Sequence, residues 1–371
     1  MSEVKLDLIP IMSAGKCVDT LSFMYSQVIN NGVEISKMPS VMLWGPPGVG
    51  KSQAVKELAK ELELNTKKKV KVTDVRLILF NPIDLRGIPT SNADKTLAVW
   101  LRPQIFQMEE SKNVVNILFL DEISAAPQSV QAAAYQITLD RRIGEHMLPD
   151  NCIVIAAGNR TTDKSVAYAM PKALANRLLH LEIEPNFEAW NKWAISHGIN
   201  EKVLGFLKFK PDYLIETDVK TSTLAYNTPR TWEMVSNLLN SLSGKFDTIY
   251  PLVAGLVGKG VALEFKSWIS VYDCLPDIEG IFSGKETNIP KKGDVLYALI
   301  SSMVVYARKY KDDINKLENS IEYAMKLPPE YSTILLRDYI AIEKGFIREL
   351  TRIPQFNKWL NSKGKLLDEI D

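Results

Sequence analysis

Through the first half of the chain, short apolar runs alternate with polar stretches and with segments whose apolar residues recur at helical spacing. Val41–Trp44, Val72–Leu79, Val114–Leu120, Cys152–Ala157 and Leu178–Ile183 read as strands, and Gln53–Leu62 carries a clear helical period. That alternation predicts an α/β fold, a parallel sheet sandwiched by helices. Beyond Pro185 strand-like runs become rare, and helical patterns such as Trp190–Ile195, Trp232–Leu242 and Val295–Lys309 dominate. The chain is therefore expected to divide within residues 184–188. Residues 1–185 form the α/β core, and residues 186–371 form an all-helical lid with a C-terminal helical extension. Ile281–Asp294 reads as a polar loop, Pro328-Pro329 ends one helix and starts another, and Lys363–Asp371 is expected to fray.

A length of 371 residues exceeds most single cores, and 46% hydrophobic residues support globular folding. No apolar run approaches a membrane span, and no membrane partner is expected. The opening Met-Ser-Glu-Val-Lys-Leu-Asp-Leu lacks the order of a secretory leader. Cys17, Cys152 and Cys274 are too few and too scattered for a disulfide framework, and His146, His180 and His197 show no metal-ligand spacing with them. These features predict a cytoplasmic location. A formal net charge of +1 gives no support for a nucleic-acid partner. The densest basic run, Lys67-Lys-Lys69-Val-Lys71, reads as a solvated turn.

The chemistry is concentrated in Gly45-Pro46-Pro47-Gly48-Val49-Gly50-Lys51-Ser52, which joins a buried strand to the Gln53 helix. This is the context of a phosphate-binding loop: glycines aim backbone N–H groups at a phosphate chain, and a helix N-terminus faces the anion. Gly48 and Gly50 supply the turn, Lys51 reaches the β- and γ-phosphates, and the Ser52 hydroxyl ligates Mg²⁺. A second element follows in Ile117-Leu-Phe-Leu-Asp121-Glu122, an apolar strand ending in two acids. Beside a phosphate loop, Asp121 is placed to hold the metal shell and Glu122 to orient and activate the attacking water.

With the next motifs the chain resembles the AAA+ ATPases. Ala156-Ala-Gly-Asn159-Arg160 is similar to their first sensor, which implies that Asn159 polarises the same water. Ala173-Leu-Ala-Asn-Arg177-Leu resembles the segment carrying their arginine finger, and Thr228-Pro-Arg230-Thr-Trp232-Glu their second sensor at the start of a lid helix. Asp84-Leu-Arg-Gly87-Ile-Pro89 and Trp100-Leu-Arg-Pro103 point to the MoxR-like branch. The resemblance covers most of residues 38–235, with the motifs in the family's order. It implies ATP with Mg²⁺ bound between the subunits of a hexameric ring. Lys51, Ser52, Gln53, Asp121, Glu122, Asn159 and Arg230 would come from one protomer and a finger from the next. Arg177 is the first candidate for that finger and Arg160 the second.

The resemblance further implies a chaperone that remodels or assembles a client protein, with a separate partner bearing a von Willebrand factor A domain. Ile88–Trp100 reads as a hairpin, which similar proteins project toward the ring's pore, and Gly144–Pro149 forms a second insertion. The aromatic pore signature of threading unfoldases is not evident, which favours limited remodelling. Two other readings stand beside this one: a motor or loader acting on nucleic acid, and a scaffold whose assembly is switched by nucleotide. Trp190, Trp193 and the aromatic and Met residues of Val295–Tyr310 are expected in a helical core. His180 is expected on a partly exposed strand face, and Glu109-Glu110 in a solvated turn.

Overall fold

The computed structural model describes residues 9–160, 170, 175–216 and 224–363, and it separates into two units, Met1–Pro185 and Asn186–Asp371. The fraying expected at the C-terminus falls on residues 364–371, and the finger segment begins with residues 173–174; both lie outside the described residues.

In the first unit the strands are β1 (Ile11–Met12), β2 (Val41–Trp44), β3 (Lys69–Arg76), β4 (Ile88–Ser91), β5 (Ala98–Leu101), β6 (Val114–Asp121), β7 (Arg142–Ile143), β8 (His146–Met147), β9 (Cys152–Gly158) and β10 (Leu179–Ile183). The helices are α1 (Ala14–Asn30), α2 (Lys51–Thr66), α3 (Pro82–Arg86) and α4 (Gln128–Asp140). Six strands form one parallel sheet in the order β1-β10-β2-β9-β6-β3. Every residue of β2, β6 and β9 is buried. Because successive side chains point to opposite faces, these strands feed two cores. Val41, Leu43, Ile117, Phe119, Ile153 and Ile155 pack with Leu21 and Tyr25 of α1 and Leu58 and Leu62 of α2. Met42, Trp44, Leu118, Leu120, Val154 and Ala156 pack with Val130, Ala134 and Ile137 of α4.

The expected strand at Val72–Leu79 is displaced. The strand starts at Lys69, ends at Arg76, and is followed by a 3₁₀ turn at Leu77–Leu79. The basic run expected to be a solvated turn thus places Lys69 and Lys71 in the sheet. The reason is position: β3 pairs with β6 alone at the sheet edge, where lysines are tolerated and discourage further pairing. β4 and β5 form the antiparallel hairpin read from Ile88–Trp100, and β7 and β8 pair as a smaller one. His146 of the second hairpin bonds the Trp100 carbonyl of the first at 2.8 Å.

Among its described residues, the regular elements of the second unit are all helical. Helices Phe187–Ser196, Glu201–Phe209, Pro229–Ser241, Lys259–Ile269, Gly293–Lys309 and Pro329–Ile340 surround one core that includes Phe206, Trp232, Phe265, Leu299, Met303 and Tyr339. Phe206, Trp232 and Phe265 meet with ring centroids 5.2–5.4 Å apart. Trp190 is buried, and Trp193 packs against the same core. The loop expected over Ile281–Asp294 is shorter, since a helix Ile278–Phe282 enters it and the next helix begins at Gly293. Thr228 caps Pro229–Ser241 by accepting from the Thr231 N–H at 3.1 Å, with Pro229 at the first helical position.

Candidate nucleotide site

The site grows from the C-terminal ends of three neighbouring strands. β2 ends at Trp44, and Gly45 takes φ +148°, which turns the chain out of the sheet beneath the Ile183 carbonyl. Gly48 and Gly50 lie at φ +79° and +104°, and Gly50 caps α2. Val49 is buried in the core under the loop, Pro47 is exposed, and Lys51 opens the helix with its side chain buried. The Lys51 ammonium donates to the Gly45 carbonyl at 2.6 Å, the Pro46 carbonyl at 3.0 Å and Asn159 Oδ1 at 3.0 Å. An ammonium has three donors and no acceptor, so three oxygens on separate groups hold it over the loop.

β6 delivers the acids. Asp121 is buried at the strand end; its Oδ2 accepts from Ser52 Oγ at 2.9 Å and its Oδ1 from the Glu122 N–H at 2.9 Å. Glu122 adopts φ +59°, a left-handed conformation that costs a non-glycine residue about 1–3 kcal/mol. The Ile123 N–H bonds the Ala157 carbonyl of β9 at 2.9 Å, fixing this turn against its neighbour. Asn159 follows β9, and its N–H is held by Ser124 Oγ at 2.9 Å. Lys51, Ser52, Asp121, Glu122 and Asn159 therefore converge although they are distant in sequence. Gln53 lies on the same helix turn, with its amide donating to Glu57 at 2.8 Å.

The two candidate finger arginines differ in their surroundings. Arg160 pairs with the buried Glu182 of β10 and lies 3.6 Å from Glu184. Arg177 is exposed, in the turn that precedes β10. Arg230 is exposed near the start of Pro229–Ser241 in the second unit.

Sequence reasoning missed Ser124, Glu182, Trp44, His180 and Asp74. Burial and the negative charge of Asp121 raise the Asp74 carboxyl above its ordinary range, with Arg76 and Lys56 opposing the shift. His180 stands half-buried on the strand face, as expected, and Trp44 Nε1 donates to its ring at 2.9 Å. None of these five carried a motif signal in the sequence; their roles depend on which strands become neighbours.

Residues 40–180 match the family model described as "ATPase family associated with various cellular activities (AAA)". The match runs from the residue before β2 into β10, and covers less than half of the whole chain. No curated protein matches the chain. Similar solved structures include a protein from Cytophaga hutchinsonii assigned as an ATPase, with 13% identity over 87% of this chain and 84% of that one and a TM-score of 0.32. A RuvB variant from Thermotoga maritima has 17% identity over 80% and 83%, at a TM-score of 0.36. A protein of T. maritima related to the γ subunit of DNA polymerase III has 10% identity over 92% and 97%, at 0.35. At such scores these likenesses bear on neither the site nor the activity. The family match, falling on the six-stranded parallel sheet and its phosphate loop, defines an AAA+ P-loop NTPase fold. The chain is an ATPase, and it binds nucleotide.

Proposed function

We propose that this ATPase works as a MoxR-type chaperone, in an oligomeric and most simply hexameric ring that remodels or assembles a client protein. The observation that carries the reading is the contrast between the surroundings of the two candidate arginines. Arg160 is neutralised by Glu182 and Glu184 of its own chain, whereas Arg177 stands exposed on a turn, as a residue serving a neighbouring subunit must.

The roles assigned are those that the motifs and the family resemblance imply, and the contacts of Lys51, Ser52, Asp121 and Asn159 support them. Lys51 exchanges carbonyl acceptors for the β- and γ-phosphate oxygens, aided by the loop N–H groups from Gly45 to Ser52. Ser52 and Asp121 are the residues that would hold Mg²⁺, since an alcohol and a carboxylate oxygen 2.9 Å apart are the hard donors that ion takes. An ion held there would supply neutralisation of the negative charge on the phosphate chain. Glu122, freed from the strand by its left-handed turn, accepts the proton of the attacking water as the bond from the γ-phosphorus to ADP breaks. Asn159 polarises that water, Arg177 of the adjacent subunit stabilises the transferring phosphoryl group, and Arg230 couples the lid to nucleotide state.

A separate protein with a von Willebrand factor A domain is the expected partner, and the hairpins β4–β5 and β7–β8 are the surfaces offered to a client. The test is the steady-state ATPase rate against protein concentration, with mass measured on the same samples, for wild type and Arg177→Ala. The rate per subunit is expected to climb with oligomer formation, and Arg177→Ala to lower it about 10³-fold while ATP still binds. A rate independent of concentration and indifferent to Arg177 would mean a self-contained site and would remove the ring reading.

A further inference from the structure

His180 lies between the strand that feeds the phosphate loop and the turn that presents Arg177. On one side, Trp44, the last residue of β2 before Gly45, donates its indole N–H to His180 Nδ1 at 2.9 Å. The two rings are nearly coplanar, with planes 18° apart and centroids 6.1 Å apart. On the other side, His180 Nε2 lies 2.7 Å from the Ala175 carbonyl oxygen. These two contacts determine the tautomer. An indole N–H only donates, so Nδ1 is the acceptor, and the ring proton of the neutral imidazole sits on Nε2 and is donated to Ala175.

The Ala175 carbonyl also accepts from the Leu178 N–H at 3.2 Å, closing the turn 175–178 in which Arg177 occupies the third position. Leu178 is buried in the core beneath, and the Leu179 N–H is fixed to the Ser40 carbonyl at 3.0 Å. The turn is thus anchored behind Arg177 by the sheet, and in front of it by the imidazole at the closing carbonyl. Register explains how a tryptophan reaches that ring: β2 and β10 are parallel with His180 opposite Met42 and Glu182 opposite Trp44, so Trp44 and His180 are diagonal neighbours on one face.

We infer that His180 is a positioning residue for Arg177, holding the finger turn in register with the strand that carries the phosphate loop of the same subunit. The inference rests on the reading that Arg177 completes the site of the adjacent subunit. It makes a distinct claim: damage at His180 harms the neighbour's hydrolysis, not its own subunit's nucleotide binding. Trp44 orients the ring and Ala175 transmits its position.

The experiment is subunit mixing in the full-length oligomer. His180→Leu removes both contacts and is expected to lower kcat about tenfold, with KM for ATP within about twofold of wild type. Glu122→Gln subunits cannot turn over but present an intact finger turn. Mixing them with His180→Leu subunits is therefore expected to raise activity above the sum of the two alone. His180→Gln, which retains one acceptor and one donor, is expected to restore most of the rate. Arg177→Ala mixed with Glu122→Gln is the reference pair. If the reference pair complements and the His180→Leu pair does not, His180 acts inside its own subunit and the inference falls. A raised KM with unchanged kcat overturns it equally. If the reference pair itself fails to complement, the shared-site reading is lost first. Trp44→Phe, which keeps an aromatic ring without the donor, is read by the same mixing assay if His180→Leu does not assemble. A rescued, smaller kcat loss supports the inference, and an unrescued one defeats it.

Discussion

Gly45→Ala puts the placement of the phosphate loop to a direct test. A Cβ at this position would lie 2.3 Å from the Ile183 carbonyl oxygen and 3.3 Å from both the Ile183 carbonyl carbon and Val49 Cγ1. Carbon and oxygen ordinarily approach to about 3.3 Å, so the overlap is about 1 Å. The obstructing atom is backbone of a central strand whose Ile183 side chain is fully buried, so the loop rather than the sheet must yield. Backbone strain at φ +148° adds about 1–3 kcal/mol and overpacking a further 1–3 kcal/mol, which makes the whole cost about 2–6 kcal/mol. Moving the loop also breaks the 2.6 Å bond from Lys51 to the Gly45 carbonyl. Gly50→Ala is the control: φ is +104°, but the added Cβ would meet only Ala14 Cβ at 3.7 Å, an ordinary contact. Thermal melts and fluorescent-ATP titrations of both variants decide the matter. Gly45→Ala is expected to melt at least about 4 °C below wild type, further below than Gly50→Ala, and to lose more than about tenfold in ATP affinity. A Gly45→Ala protein that melts with wild type and binds ATP within twofold would refute the loop placement. Equal destabilisation by the two variants would assign the whole cost to backbone conformation and none to Ile183.

Two further outcomes test other parts of the molecule. In the helical unit Lys208 and Asp338 form an ion pair at 2.5 Å with side chains 3% and 2% exposed, and Asn191 donates to the second Asp338 oxygen at 3.0 Å. Lys208→Met strands a buried carboxylate and is expected to cost about 3–5 kcal/mol in urea unfolding followed by tryptophan fluorescence, with more than half recovered when Asp338→Asn is added. A loss under about 1 kcal/mol would show that water reaches the pair. Burial pushes the Cys17 and Cys152 thiols up to about 12, whereas Cys274 is exposed. Ellman's reagent at neutral pH is therefore expected to modify one thiol in the native protein and three in denaturant; fast modification of all three without denaturant would contradict the packing of α1 and β9.

Much of the nucleotide-binding unit was legible because its signals are local. The apolar runs at Val41–Trp44, Val114–Leu120 and Cys152–Ala157 became β2, β6 and β9 within a residue or so, since strands buried on both faces have little choice but to be apolar. The edge strand was misplaced because its lysines break that pattern, and only its place beside β6 explains them. The glycine-rich loop, the paired acids and the Asn159 segment were readable as motifs, because a bound triphosphate constrains residues close in sequence. Arg177 ranked ahead of Arg160 as the finger on the resemblance alone. The structure adds a physical difference: Glu182 of β10 and Glu184 just beyond it lie beside Arg160.

From composition and pattern alone come the class of fold, the phosphate loop and the acids that close it, because each depends on backbone geometry encoded within a few residues. Tertiary structure alone sets Lys51 against Asn159, Ser52 against Asp121, and Trp44 against His180. Those meetings depend on strand order. The crossovers that place β2 between β9 and β10 are fixed by burying two apolar faces at once, a condition on the whole sheet that no segment of the chain expresses by itself.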